Sequence, residues 1–304
     1  MANARPTPAA PLGAAGPPNA VEIRSLTKRY KGFALRDVTF DVPRGAVTGL
    51  VGPNGAGKTT LVKLVMNLVR RDAGAIRVFG LDNLRDEPAI KARVGFVYDV
   101  PRFHEDIRLK DIASALAPFY AAWDARRFRT LLDEFELSPR TIFKKLSHGM
   151  KMKFALAVAL CHDADLILMD EPTAGLDPAF RFDLLNRLRA LIQDERKTVL
   201  FSSHITSDLE RIADYITFIN DGRLVFSAAK DDILDSWGVV RSPSDDLRPA
   251  DIPALRGWRR TAYALEALTS DAAAARRALG GRAVCDKAGL EDIMFFISRG
   301  DSHD

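Results

Sequence analysis

Gly52-Pro53-Asn54-Gly55-Ala56-Gly57-Lys58-Thr59-Thr60 has the spacing G-x-x-x-x-G-K-T, which suits the holding of a phosphate chain. The glycines let the backbone curl around an anion where a Cβ would intrude. Backbone N–H groups and the start of the next helix then face that anion. Lys58 adds a charge for the β- and γ-phosphates, and the Thr59 hydroxyl is a ligand for Mg²⁺. A second group carries what phosphate hydrolysis needs. Leu166-Ile167-Leu168-Met169-Asp170-Glu171 is an apolar run ending in two acids. Beside a phosphate loop, Asp170 can hold Mg²⁺, directly or through water, and Glu171 can orient or deprotonate a water. His204 follows another apolar run, Thr198–Ser203, at the kind of strand end where open α/β folds bind ligands.

These residues need buried strands to carry them. Ala46–Val51 reads as a strand into the loop and Leu61–Val69 as the helix after it, the setting the motif requires. Leu166–Asp170 is apolar on both faces, as a central parallel strand is. Val21–Leu26 and Leu35–Val42 alternate apolar and polar residues, which predicts an antiparallel β layer before the loop. Ala75–Phe79 and Val94–Tyr98 predict further strands, with Gly80–Lys91 a polar connection between them. Ile112, Leu116, Phe119 and Trp123 fit one helix face that Pro118 bends or ends. Phe128, Leu131, Leu132 and Phe135 make a second stripe. Ser147 before a long apolar helix reads as its cap, at a helix start able to hold an anion. Asp177-Pro178 reads as a cap and first helical residue. Tyr215–Ile219 and Arg223–Ser227 around Asp221-Gly222 form a hairpin. Arg241–Asp246 reads as a linker, and Ala272–Leu279 and Leu290–Ile297 as helices.

The chain has 304 residues, 47% apolar and 28% charged, with net charge +4. That composition is ordinary for a soluble globular protein, and the charge weakly favours an anionic partner. Cys161 and Cys285 are far apart and show no metal or redox spacing; Cys161 reads as a small core residue. No run approaches the ~18 apolar residues of a membrane span. Residues 1–20, rich in Ala and Pro, have no signal-peptide pattern and read as a disordered tail.

The ordered set of motifs over about residues 21–230 resembles an ATP-binding subunit of an ABC transporter. Gly52–Thr60 matches the Walker A loop and Leu166–Asp170 Walker B, and Glu171 matches the catalytic glutamate. Ala174-Gly175-Leu176-Asp177 matches the D-loop, and His204 the switch histidine. Tyr30, by itself an aromatic at a strand end, matches the ring that stacks on adenine. Leu146-Ser147-His148-Gly149-Met150 stands at the Leu-Ser-Gly-Gly-Gln signature and keeps Ser147 and the second glycine, Gly149; with Met150 it looks like a bacterial subset of exporter-type ATPases. Asp99 stands where the family has the Q-loop glutamine, and an acid there can bind Mg²⁺ or water.

The resemblance implies an α/β P-loop NTPase core with an antiparallel β subdomain and a helical subdomain, plus a small C-terminal extension. The expected limits are a tail over 1–20, an ATP-binding domain over 21–236 with its helical subdomain at about 100–163, and an accessory region over 237–304. It implies ATP and Mg²⁺ as cofactors and a homodimer of ATPase subunits. Each ATP would lie between the Walker A loop of one copy and Ser147, Gly149 and Met150 of the other, with Asp177 near the junction. It also implies transmembrane permease subunits in separate chains and a peripheral place on the cytoplasmic face of the membrane. No direct nucleic-acid partner is expected. A soluble ABC ATPase acting on nucleic acid or ribosomes, or a regulatory ATP-binding module, are the alternatives. The single Walker A motif and the intact Lys58, Asp170, Glu171 and His204 weigh against them.

Overall fold

The computed structural model describes residues 19–243, 247–261, 264–299 and 302–303. β1 (Asn19–Tyr30) and β2 (Phe33–Pro43) form an antiparallel pair. β3 (Val47–Val51) leads into α1 (Lys58–Val65). β4 (Ala73–Val78) and the short β5 (Leu81–Asp82) then complete an antiparallel sheet of order β2-β1-β4-β5. After α2 (Glu87–Lys91) and β6 (Val94–Val97) come the helices α3 (Leu109–Leu116), α4 (Ala125–Glu134) and α5 (His148–Leu160). β7 (Leu166–Asp170), α6 (Pro178–Leu191), β8 (Thr198–Ser203), α7 (Thr206–Ile212), β9 (Tyr215–Asn220) and β10 (Arg223–Ala229) follow.

The central sheet runs β10-β9-β3-β8-β7-β6. All its neighbours are parallel except the β9–β10 hairpin. Every residue of β3, β7 and β8 is buried, because helices and the antiparallel layer cover both faces. Their carboxyl ends therefore come out side by side, with Val51 beside Ser203 and Asp170 beside Ser202. The hairpin turns on Asp221 (φ 45°) and Gly222 (φ 68°), as a two-residue turn with both φ positive does. This is the P-loop α/β core with antiparallel and helical additions that the motifs implied.

After α8 (Lys230–Ser236) a third sheet begins with β11 (Gly238–Pro243). β12 (Leu255–Arg260), β13 (Ala264–Thr269), α9 (Ala272–Leu279), β14 (Val284–Lys287), α10 (Leu290–Arg299) and β15 (Ser302–His303) follow. Its order is β14-β11-β13-β12-β15. The linker reading of Arg241–Asp246 is therefore corrected for 241–243, and 244–246 lie outside the described residues. Val239 and Val240 are buried, and Ser242 Oγ donates to the Arg282 carbonyl at 2.9 Å. Among the described residues Pro243 pairs with β13 and lies beyond the β14 pairing, a position where its missing N–H is tolerated.

Other boundaries also move. α1 ends at Val65, not Val69; Asn67 takes φ 52°, a left-handed conformation asparagine tolerates near helix ends. The connection at 80–91 contains β5 and α2. The first helical stripe stops at Leu116: Pro118 lies in a 3₁₀ turn, Ala117–Phe119, and Phe119 is 74% exposed. Phe128, Leu131, Leu132 and Phe135 are all buried, as their spacing required. Of the Ala/Pro-rich tail, 1–18 lie outside the described residues, whereas Ala20 is buried in β1. Cys161 is buried, and burial pushes its thiol up to about 12.

Candidate functional site

The carboxyl ends of β3, β7 and β8 surround a cleft of about 770 Å³. The phosphate loop forms one wall, with Asn54, Gly55, Gly57, Lys58, Thr59 and Thr60 lining it. Gly57 has φ 113°, and a Cβ there would lie 2.9 Å from Phe33 Cζ and 2.7 Å from Leu35 Cδ2. A Cβ on Gly52 would lie 2.2 Å from the Ile219 carbonyl oxygen. Both positions thus need glycine for closeness as well as for backbone angle.

Lys58 is buried, with its side chain 6% exposed. Its Nζ donates to the Gly52 carbonyl at 2.8 Å and lies 3.3 Å from Glu171 Oε1. Glu171 has φ 48°, left-handed for a non-glycine residue, and strain of this kind concentrates at functional sites. Its N–H is held by Ser202, donating to Oγ at 3.0 Å and to the carbonyl at 3.2 Å. Its other oxygen, Oε2, is 2.8 Å from His204 Nδ1 and accepts from the His204 N–H at 3.3 Å. A carboxylate on Nδ1 favours a proton on that nitrogen.

Asp170 is fully buried at the end of β7. Ser202 Oγ donates to its Oδ1 at 2.6 Å, whereas Oδ2 has no partner. Burial raises this carboxyl above its ordinary range, the Ser202 hydrogen bond and the nearby Thr59 hydroxyl work against the rise, and the charges of Asp99 and Glu171 add to it. Lys63, one turn beyond Thr59, lies with Nζ 5.3 Å from the Tyr98 ring centroid. Its hydrogen bond to Tyr98 holds the ammonium above the usual range, and the charges of Asp99 and Asp170 contribute.

The chain has many relatives among known proteins. A family model described as ABC transporter matches residues 35–174. Bacitracin transport ATP-binding protein BcrA of Enterococcus faecalis is 31% identical over 208 residues, covering 67% of this chain and 68% of that protein. Nod factor export ATP-binding protein I of Cupriavidus pinatubonensis is 32% identical over 236 residues, covering 75% of this chain and 72% of that protein. The chain belongs to the ABC transporter family. It is an ATP-binding subunit, and it hydrolyses ATP. A solved ATP binding subunit of an ABC transporter superposes with a TM-score of 0.65 at 29% identity, covering 71% of this chain and 92% of that one. A dimeric ATP-binding cassette bound to ADP and Pi shares the fold, with a TM-score of 0.62 at 22% identity, 69% coverage of this chain and 98% of its own.

Of the residues singled out in this ABC subunit, most of the phosphate loop, Asp99, Glu171 and His204 line the one cleft. Tyr30, Ser147, Gly149, Met150 and Asp177 are not among its lining residues. Tyr30 is 43% exposed, with Lys28 Nζ 5.5 Å from its ring centroid, and the aromatic on the cleft wall is Phe33. Ser147 caps α5, accepting from the Met150 N–H at 3.2 Å. Asp177 caps α6, accepting from the Phe180 N–H at 2.8 Å. Gly149 faces the D-loop, where a Cβ would lie 3.7 Å from the Gly175 carbonyl oxygen. His148 is the signature residue that reaches the cleft of its own chain. Sequence reasoning missed Phe33, Ser202 and Lys63. The two serines ending an otherwise apolar buried strand were a usable signal for Ser202.

Proposed function

We propose that this subunit cleaves ATP at the cleft between the phosphate loop and Glu171, as one of two copies that energise a separate membrane permease. The observation that carries the reading is the chain of contacts Lys58–Glu171–His204 beside an unpartnered Asp170 oxygen. The donors suit Mg²⁺: a hard cation takes oxygen ligands, and Thr59 and Asp170 offer a hydroxyl and a buried carboxylate oxygen in need of a partner. Phosphate oxygens, Asp99 and water would supply the remaining ligands. When bound there, Mg²⁺ neutralises charge on the phosphates.

Lys58 then exchanges Glu171 for phosphate oxygens, which frees the carboxylate. Glu171 takes the proton of a water whose oxygen attacks the γ-phosphorus as the bond to ADP breaks. His204 holds Glu171 through Nδ1 and stabilises charge at the γ-phosphate. Tyr30, or Phe33 in its place, packs on the adenine. Ser147, Gly149, Met150 and Asp177 act across a two-fold junction on the partner copy's nucleotide.

One relative's name, Nod factor export, favours export as the transport direction. Among the described residues no helix is long and apolar enough to cross a membrane. That supports a permease in separate chains and a peripheral place on the cytoplasmic face. We take 21–236 as the ATPase unit, with its helical part at about 100–163, and 237–304 as an accessory region. Light scattering of Glu171→Gln with Mg²⁺ and ATP should give the mass of two chains, and the natural subunit should co-purify with a membrane protein. A monomer at saturating ATP would overturn the two-copy arrangement.

A further inference from the structure

The last helix, α10, lies between two supports of the nucleotide site. At its first turn the Leu290 N–H donates to Glu210 Oε1 at 2.8 Å. Glu210 belongs to α7, which begins at Thr206, two residues after His204. Near its other end the Ile297 carbonyl accepts from Asn220 Nδ2 at 3.2 Å. Asn220 ends β9, and the hairpin it opens supports the phosphate loop: the Gly222 N–H donates to the Ala56 carbonyl at 3.0 Å. Leu290, Ile293 and Phe296 are buried in the same core cluster as Leu209 and Ile212 of α7 and Phe218 of β9. Glu291, Met294 and Ser298 face Pro53, Asn54 and His204 across a cavity of about 340 Å³. That cavity shares Asn54 and His204 with the nucleotide cleft.

α7 cannot hold its place unaided. It has seven residues and no side-chain cap on its N-terminus, and a helix of two turns has no stability apart from its packing. Its packing and pairing fix it: Arg211 lies on the Phe182 ring, Lys230 Nζ donates to the Glu210 carbonyl at 3.0 Å, and three further contacts tie it to the sheet, to α6 and to α10. Leu209 packs on the sheet at Gly49, where a Cβ would meet Leu209 Cδ2 at 2.5 Å. Asp208 pairs with Arg181 of α6 at 2.7 Å. The third contact is Glu210, whose carboxylate meets the positive end of the α10 dipole as well as the Leu290 N–H.

We propose that α10 is a brace for hydrolysis, and that Glu210 and Asn220 are positioning residues for it. Through α7 and the β9–β10 hairpin they keep His204 and the phosphate loop in fixed relation. Turnover then depends on a helix of the C-terminal segment that touches no reacting atom. The inference rests on the roles proposed for Glu171 and His204.

The test uses the full chain and four variants: Glu210→Ala, Glu210→Gln, Asn220→Ala and the Glu210→Ala/Asn220→Ala pair. Gln keeps an oxygen for the Leu290 N–H. The double variant should lose about tenfold in kcat with KM for ATP changed less than about twofold, the pattern of lost positioning rather than lost binding. Glu210→Gln should restore most of the kcat lost in Glu210→Ala. Amide exchange at residues 204–212 should quicken in the alanine variants and not in Glu210→Gln. An unchanged or raised kcat in the folded double variant would overturn the brace, as would a Glu210→Gln as slow as Glu210→Ala. Should the double variant fail to fold, the Ala/Gln comparison at 210 alone decides. Glu171→Gln run alongside separates the two readings: normal turnover there refutes the proposed hydrolytic roles themselves.

Discussion

Two ionic clusters in this molecule are built in opposite ways. On the C-terminal sheet, Glu266 accepts from Arg259 Nε at 2.6 Å and from Arg241 Nε at 3.2 Å, while Arg241 also reaches Asp286 at 2.7 Å. Each charge there has a partner, and Arg241 is half in water. At the carboxyl ends of the central strands, Lys58 is 6% exposed, Asp170 is buried with an orphan oxygen, and Glu171 sits on a strained backbone. A cluster that only joins strands is complete by itself. One left incomplete and buried has reactive groups waiting for a ligand to finish the pairing. The two should therefore respond differently to substitution.

Lys58→Ala should show the largest effect, an ATP affinity lower by at least about a hundredfold, since a charge-assisted contact to phosphate is removed in a dry site; equilibrium binding of a fluorescent ATP analogue measures it. His204→Ala should slow turnover by about a hundredfold with little change in affinity, seen in steady-state kcat against KM. Arg241→Ala should cost under about 1 kcal/mol in urea unfolding, as partly exposed pairs do, and leave kcat unchanged. A large catalytic loss there would erase the contrast.

Stability against pH sharpens the contrast further. For Glu266, burial raises the carboxyl, but the hydrogen bonds from Arg259 and Arg241 outweigh it and the net shift is downward. A lowered folded value binds fewer protons than the unfolded chain, so its stabilisation is present above the ordinary glutamate range and is lost as pH falls through the folded value. Glu266→Gln should flatten that acid limb of the unfolding curve. His162 behaves similarly for a different reason. It is buried against Tyr120, with ring centroids 4.0 Å apart. Burial lowers it from 6.5 to about 4. The unfolded chain then binds the extra proton between those values, so stability should fall as pH drops from 6.5 to 4. His162→Phe should remove that slope in urea titrations.

The nucleotide side was legible because its signals are local. The phosphate loop is contiguous, and β7 and β8 are unbroken apolar runs ending in polar residues, so motif and burial pattern coincide. The C-terminal sheet was not. β11 pairs with β13 and β14, both distant in the chain, and its Arg241-Ser242-Pro243 end has the composition of a turn. Only the tertiary pairing of Arg241 with Glu266 and the burial of Ser242 make it a strand. The aromatic near the cleft shows the limit on a smaller scale. Tyr30 and Phe33 flank a turn containing Gly32, and which ring faces the phosphate loop depends on the strand twist and on the space above Gly57, neither of which is written in the local sequence.

The most direct test is a single-turnover measurement on Glu171→Gln mixed with Mg²⁺ and ATP, with nucleotide binding followed in the same sample. Binding should match the natural protein, while phosphate release falls by at least about a hundredfold because the group that takes the water's proton is gone. Phosphate released at the natural rate from bound ATP would contradict the assignment of hydrolysis to this strand-end cluster.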